Sequence, residues 1–205
     1  MKTVIYLIRH SEPMKKKIDL INNDSLQITN EKNPLSIIGE QKALALSKID
    51  ELKDIDLVIS SNYVRAMSTA KYIAENNNKD LYLNENFGER KFGVSDWSQK
   101  PQGFEKRQLV DLDYKIGDGE SHNEVAERMY DSLMKTVNEN IGKRIVIVSH
   151  ATAILFLLMK FGTYSDNKLY FNGKVLIDEN FKWNAPEVFK LEFEDNELIA
   201  IKNIR

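Results

Sequence analysis

The chain has 205 residues, room for one domain with a modest insertion and enough to bury a sizeable core. Apolar residues make up 42% and charged residues 29%, a globular mixture that disfavours disordered, collagenous and membrane-spanning classes. The 29 Lys and Arg against 31 Asp and Glu give a net charge of −2, so nucleic acid and anionic lipid meet no whole-molecule attraction and any anion site is local.

Cysteine is absent, which rules out disulfides, thiolate metal sites and a cysteine nucleophile. There are three histidines, His10, His122 and His150, and only seven arginines, at 9, 65, 90, 107, 128, 144 and 205, so their placement is informative. The apolar stretch Val4 to Ile8 is too short for a secretory core and the run Ala153 to Met159 too short for a span. A cytoplasmic location is expected, with no nucleic-acid or membrane partner.

Val4 to Ile8 reads as a buried strand of a parallel sheet, with Arg9 and His10 at its carboxyl end. Residues 13–33 are polar, with Lys15-Lys16-Lys17 and a short apolar patch at Ile18, Leu20 and Ile21; they read as a long loop and a candidate lid. A helix capped by Ser36 is predicted as far as Leu52, burying Ile38, Ala45, Ile49 and Leu52. Leu57 to Ile59 reads as a second strand, and Ser60-Ser61-Asn62 as the capping stretch of a helix over Tyr63 to Asn76.

A short strand follows at Leu81 to Leu83. Residues 84–119 hold five of the nine glycines and Pro101, and read as loops with one short helix near Phe104 to Leu112. Ser121 and Glu124 form a capping box opening a helix with Val125, Met129, Leu133, Val137 and Ile141 at intervals of four, ended by Gly142. Arg144 to Ser149 is a third buried strand with His150 at its end, and the run from Ala153 a buried helix. Strands then follow at Leu169 to Phe171, Val175 to Ile177, Glu187 to Phe193 and Leu198 to Ile204, with a turn at Asp195-Asn196.

This order predicts a three-layer α/β/α fold with a mostly parallel central sheet and antiparallel C-terminal strands, in one domain spanning 1–205. In such sheets ligands bind beyond the carboxyl ends of the strands, where His10 and His150 fall and Arg65 lies close by. A lone His at a strand end is ordinarily a hydrogen-bonded surface residue, and His122 in the capping box is read that way. Two histidines and two of the seven arginines at equivalent positions are harder to assign to chance. Arg9, His10, Arg65 and His150 together suit a phosphate, which Arg grips bidentately and a helix amino terminus supplements.

These residues resemble a family. Leu7-Ile8-Arg9-His10-Ser11-Glu12 is similar to the Leu-X-Arg-His-Gly-Glu signature of the histidine phosphatase superfamily, which includes cofactor-dependent phosphoglycerate mutases and many small-molecule phosphatases. Further motifs follow in family order: Pro34-Leu35-Ser36 with Gly39-Glu40-Gln41 and Ala43; Ser60-Ser61 through Arg65-Ala66 to Thr69-Ala70; Glu89 with Phe92-Gly93; Gly119-Glu120-Ser121; and Val148-Ser149-His150. The resemblance spans residue 4 to about residue 160.

The resemblance implies that His10 is a nucleophile forming a phosphohistidine, with Arg9, Arg65 and His150 around the nonbridging oxygens and no metal or cofactor. A bound phosphate dianion would favour a protonated His150. It points to Glu89 as the acid that protonates the leaving group and then activates water. Glu85 is a rival, but Glu89-Arg90-Lys91-Phe92-Gly93 keeps the family's spacing. Alone, either glutamate would read as a solvated loop carboxylate.

Ser11 stands where the family has Gly, and Ala151 where Gly commonly follows the second histidine; Ser11 is a candidate phosphate donor in its own right. The mutases' Trp-Asn pair is missing, with Pro13-Met14-Lys15-Lys16 in its place, and the chain is short of a mutase's enclosing segments.

The expected function is therefore a metal-independent phosphomonoesterase acting on a small phosphate ester. The alternatives are a phosphoglycerate mutase and a noncatalytic phospho-ligand sensor; a metallohydrolase is weaker, for want of carboxylates at ligand spacing. Residues 13–33 and 84–119 would form the substrate side, where Lys15, Lys16, Lys17, Arg90 and Lys91 could meet further negative charge or simply be solvated. The natural substrate and the oligomeric state stay open, although the C-terminal hairpin could offer a sheet edge.

Overall fold

A computed structural model describes residues 1–15 and 25–204. Its centre is a six-stranded sheet whose inner parallel strands are apolar runs with no polar face, as burial on both sides requires. The strands are β1 (Lys2–Arg9), β2 (Leu57–Ser60), β3 (Leu81–Leu83), β4 (Arg144–Ser149), β8 (Glu187–Glu194) and β9 (Glu197–Asn203), in the order β3-β2-β4-β1-β8-β9. The first four are mutually parallel, and β8 and β9 are antiparallel additions beside β1.

The pleat of β1 divides the core. Val4, Tyr6 and Ile8 face one layer with Leu46, Ala66, Ala70 and Ile73; Ile5 and Leu7 face the other with Val125, Met129, Leu133 and Ile154. The first layer is α2 (Ile37–Ser47) and α3 (Val64–Asn76), and the second is α5 (His122–Glu139) and α6 (Ala151–Phe161). The fold is thus α/β in three layers, as the strand and helix order predicts. No helix among the described residues is long and apolar enough to cross a membrane.

Several local expectations are corrected. Part of the expected loop 13–33 is a helix, α1 (Leu26–Lys32), capped by the Ser25 hydroxyl, which accepts from Ile28 N–H. Lys16, Lys17, Ile18, Leu20 and Ile21 lie outside the described residues.

The helix capped by Ser36 ends at Ser47, with a 3-10 turn at Asp50–Leu52 beyond it. It buries Gly39, Ala43, Leu46 and Ser47, while Ile38 and Ala45 are exposed. The reason lies at Gly39: segment 12–14 pairs with 34–36, which places the helix so close that a Cβ on Gly39 would stand 2.0 Å from the Glu12 carbonyl oxygen. The stripe containing glycine, not isoleucine, faces inward.

Tyr63, not the preceding Ser-Ser-Asn, caps α3, and without a side-chain bond. Ile141 lies beyond α5, which has Asn140 as its C-cap, and is exposed. The short helix in 84–119 is α4 (Phe104–Val110). Strands β6 (Lys168–Phe171) and β7 (Lys174–Ile177) form a separate antiparallel sheet with β5 (Thr163–Ser165), whose Thr-Tyr-Ser carries no apolar run to announce it.

Candidate active site

Because β1 and β4 pair in parallel with Arg9 opposite Ser149, His10 and His150 leave adjacent strands at the same level. Their rings meet edge-on with centroids 5.1 Å apart, and both residues are buried. On the other side of β4, Ser60 pairs with Val148, which brings Ser61 and the first turn of α3, with Arg65, to the same edge.

Hydrogen-bond partners assign the tautomers. His10 Nδ1 lies 2.7 Å from the Ser11 carbonyl oxygen and donates to it, leaving a lone pair on Nε2. Arg65 Nε donates to that nitrogen at 3.0 Å. Arg65 Nη2 donates to His150 Nδ1 at 3.2 Å, so His150 carries its proton on Nε2 and donates to Ser61 Oγ at 2.8 Å.

Burial, reinforced by the Arg65 charge, pushes His10 well below the ordinary histidine range; burial, then the neighbouring His10 and Arg65, does the same to His150. Both imidazoles are therefore neutral near pH 7 in the absence of an anion. The remaining Arg65 nitrogen, Nη1, donates to the backbone carbonyl of Asn30 in α1 at 2.5 Å. Tyr63 lies under the Arg65 guanidinium, 4.8 Å away, and meets His150 edge-on.

Arg9 is half-buried. Its Nη1 donates to the carbonyls of Trp183 and Asn184 at 3.0 and 2.9 Å, and its charge also helps to lower both histidines. Glu89 comes from the other layer: its Oε1 accepts from Arg90 N–H at 2.9 Å and from Ala153 N–H, in the first turn of α6, at 3.2 Å. Its carboxylate opposes the charges of Arg9 and Arg65, whereas Glu85 is exposed on a 3-10 turn. Of the two candidate acids, Glu89 is the one bonded to the start of α6, which follows His150, and interacting with Arg9 and Arg65.

The structure therefore brings together Arg9, His10, Arg65, Glu89 and His150, and separates three other residues from the expectations attached to them. Ser11, a candidate phosphate donor, is fully buried and donates its hydroxyl proton to the Gly39 carbonyl at 2.7 Å, tying the end of β1 to α2. Arg90 is turned into the interior and not outward. It is 2% exposed, packed against the rings of Phe92 and Phe104, and bonded to Gln108 Oε1. His122 is not a surface residue: it is buried, stacked on Phe156 at 4.1 Å, and pushed down to about 4 by that burial.

Lys91 stays exposed beside a cleft of about 400 Å³, also lined by Gln27, Asn30, Phe92, Ser95 and Asp118. Sequence reasoning missed Ser61, Tyr63 and Thr69, which accepts the Ser11 N–H, and assigned no role to Arg128. Only the scarcity of arginine pointed towards Arg128; Ser61 and Thr69 stand inside the motif that carries Arg65 but were given no role of their own, and Tyr63, at the cap of α3, carries no local signal.

Residues 5–173 match the family model of the histidine phosphatase superfamily, branch 1. A probable phosphoglycerate mutase, GpmB, of Cronobacter sakazakii is 30% identical over 158 residues, 73% of this chain and 70% of that protein. Among solved structures, a mycobacterial glucosyl-3-phosphoglycerate phosphatase superposes with a TM-score of 0.70 at 17% identity, covering 100% of this chain and 98% of that one. A phosphoserine phosphatase mutant from Entamoeba histolytica superposes at 0.65 and 19% identity, covering 97% and 96%.

Proposed function

Because the chain belongs to the histidine phosphatase superfamily, we propose that it is a metal-independent phosphomonoesterase that works through a phosphohistidine on a small phosphorylated molecule. The observation that carries this reading is the orientation of His10. Its Nδ1 proton is held by the Ser11 carbonyl, and its Nε2 lone pair points at the cation that would hold the phosphate.

In the first step, Nε2 of His10 attacks phosphorus, the ester P–O bond breaks, and the Glu89 carboxyl gives its proton to the leaving oxygen. In the second, Glu89 takes a proton from water, the water oxygen attacks phosphorus and the P–N bond breaks, releasing phosphate and restoring His10. Charge on the nonbridging oxygens is held by Arg9, Arg65 and His150, fixed cations and donors of which Arg65 and His150 are buried. An entering phosphate takes the place of the Asn30 carbonyl on Arg65 Nη1. It also favours the protonated form of His150, which burial and then its cationic neighbours otherwise disfavour.

The curated relatives named as probable phosphoglycerate mutases support a second reading, in which the same phosphohistidine returns its phosphoryl group to a sugar-acid phosphate. The missing Trp-Asn pair and the phosphatases among the structural neighbours favour hydrolysis.

Hydrolysis of 4-nitrophenyl phosphate in excess chelator tests the proposal. Wild type is expected to turn over without metal, His10→Ala to lose activity by a factor on the order of 10³ or more, and acid-labile phosphate to be trapped on wild type alone. Unchanged activity in His10→Ala would sink the mechanism. Isomerisation of phosphoglycerate outpacing phosphate release would favour the mutase.

A further inference from the structure

We infer that Arg128 and Glu120 are positioning residues for the general acid, acting together as a clamp on the loop that carries Glu89; the inference rests on the assignment of Glu89 proposed above. Residues 88–93 have neither helix nor strand to fix them. Arg128, in the second turn of α5, supplies what is missing. Its Nη1 donates to the carbonyls of Asn86 and Gly88 at 2.7 and 3.1 Å, and its Nη2 to the carbonyl of Glu89 itself at 3.2 Å.

The same guanidinium grips Glu120 bidentately, Nε to Oε1 at 2.6 Å and Nη2 to Oε2 at 2.9 Å. Glu120 holds the far side of the loop: Oε2 accepts from Lys91 N–H, and its own N–H donates to the Lys91 carbonyl, each at 2.9 Å. Glu89 is thereby held from both flanks by one planar fork whose donors are fully committed, a geometry lysine cannot reproduce.

The clamp is itself anchored and shielded. Its side chains are only 18% and 15% exposed, and the capping box at Ser121 and Glu124 fixes the start of α5. Burial alone would raise the Glu120 carboxyl, yet its bond to Arg128 keeps it below the ordinary value and hence anionic. An acid is useful only within hydrogen-bond reach of the leaving oxygen, and a small misplacement forfeits most of its effect. Among the described residues, Arg128 bonds only to backbone carbonyls and Glu120; its charge also lowers His150 from a distance, and the leaving-group dependence of its loss separates that route from the one through Glu89.

Two esters of similar size separate this from a general structural role. 4-Nitrophenyl phosphate has a leaving group that hardly needs a proton, and benzyl phosphate has an alkoxide that does. Arg128→Ala is expected to lower kcat/KM for benzyl phosphate on the order of 10²-fold, and for the nitrophenyl ester less than about 5-fold. Arg128→Lys should lie between wild type and Arg128→Ala on the benzyl ester. The double variant Glu89→Gln with Arg128→Ala should be no slower on that ester than Glu89→Gln alone.

Equal losses on both esters, or additive losses in the double variant, overturn the clamp, and would indicate that the Arg128 charge acts on His150 instead. If Glu89→Gln, with Arg128 intact, slows both esters equally, the acid assignment itself falls and takes the clamp with it. Should Arg128→Ala not fold, Glu120→Gln is judged by the same ratio of the two esters.

Discussion

His122 lies flat against Phe156 with its Nδ1 buried and unpartnered. Its folded-state value of about 4 is below the ordinary 6.5, so between these the unfolded chain binds the proton more readily than the folded one. The neutral ring is accommodated in full above pH 6.5, and stability is lost as pH falls from there towards 4, by roughly 2 kcal/mol from this residue. His122→Phe should flatten that part of the curve of melting temperature against pH; an unchanged slope would show that other groups set it.

Ser11 makes a second prediction at this scale. Ser11→Ala removes the second donor to the Gly39 carbonyl, which also takes part in the α2 ladder, and should destabilise the fold by about 0.5–1.5 kcal/mol. A loss of phosphate affinity like that of an arginine deletion, with unchanged melting, would return Ser11 to the pocket. Single residues were legible where their chemistry was rare: His10, His150 and Arg65 stand at strand ends or helix starts. Ser11 and Arg90 misled because their partners, Gly39 and Gln108, lie 28 and 18 residues away.

At the level of elements, strands were easier to read than helix faces. Strands β1, β2 and β4 are buried on both sides and read as continuous apolar runs. Helix α2 carries apolar residues all round, so composition does not choose its face; the backbone approach at Gly39 does. Gly39→Ala should accordingly cost about 3 kcal/mol or force α2 away from Glu12, read as a fall in the denaturation midpoint. Helix α1 could not be foreseen, because its seven residues contain one buried side chain, Leu26, and its contact with the site is the Asn30 carbonyl, which every residue type possesses.

For the whole molecule, the alternation of strands and helices announced the three layers, but not the place of the last strands. Strand β8 does not extend an edge remote from the chemistry; it lies directly against β1, and the segment before it supplies the carbonyls that hold Arg9. The residues beyond 173, outside the family match, are thus built into the sheet and the site. A chain ending after Ile177 should lack a cooperative unfolding transition; a native-like melt from it would show that β1 and β4 suffice.

The position of β1 also sets the order of events during synthesis. Strand β1 is made well before both its neighbours, 144–149 and 187–194. Its apolar run waits without a partner through most of translation, the circumstance in which nascent chains engage chaperones. Final folding of this sheet consequently waits for residues 187–194, and arrested chains lacking β8 should stay open to protease until that strand emerges.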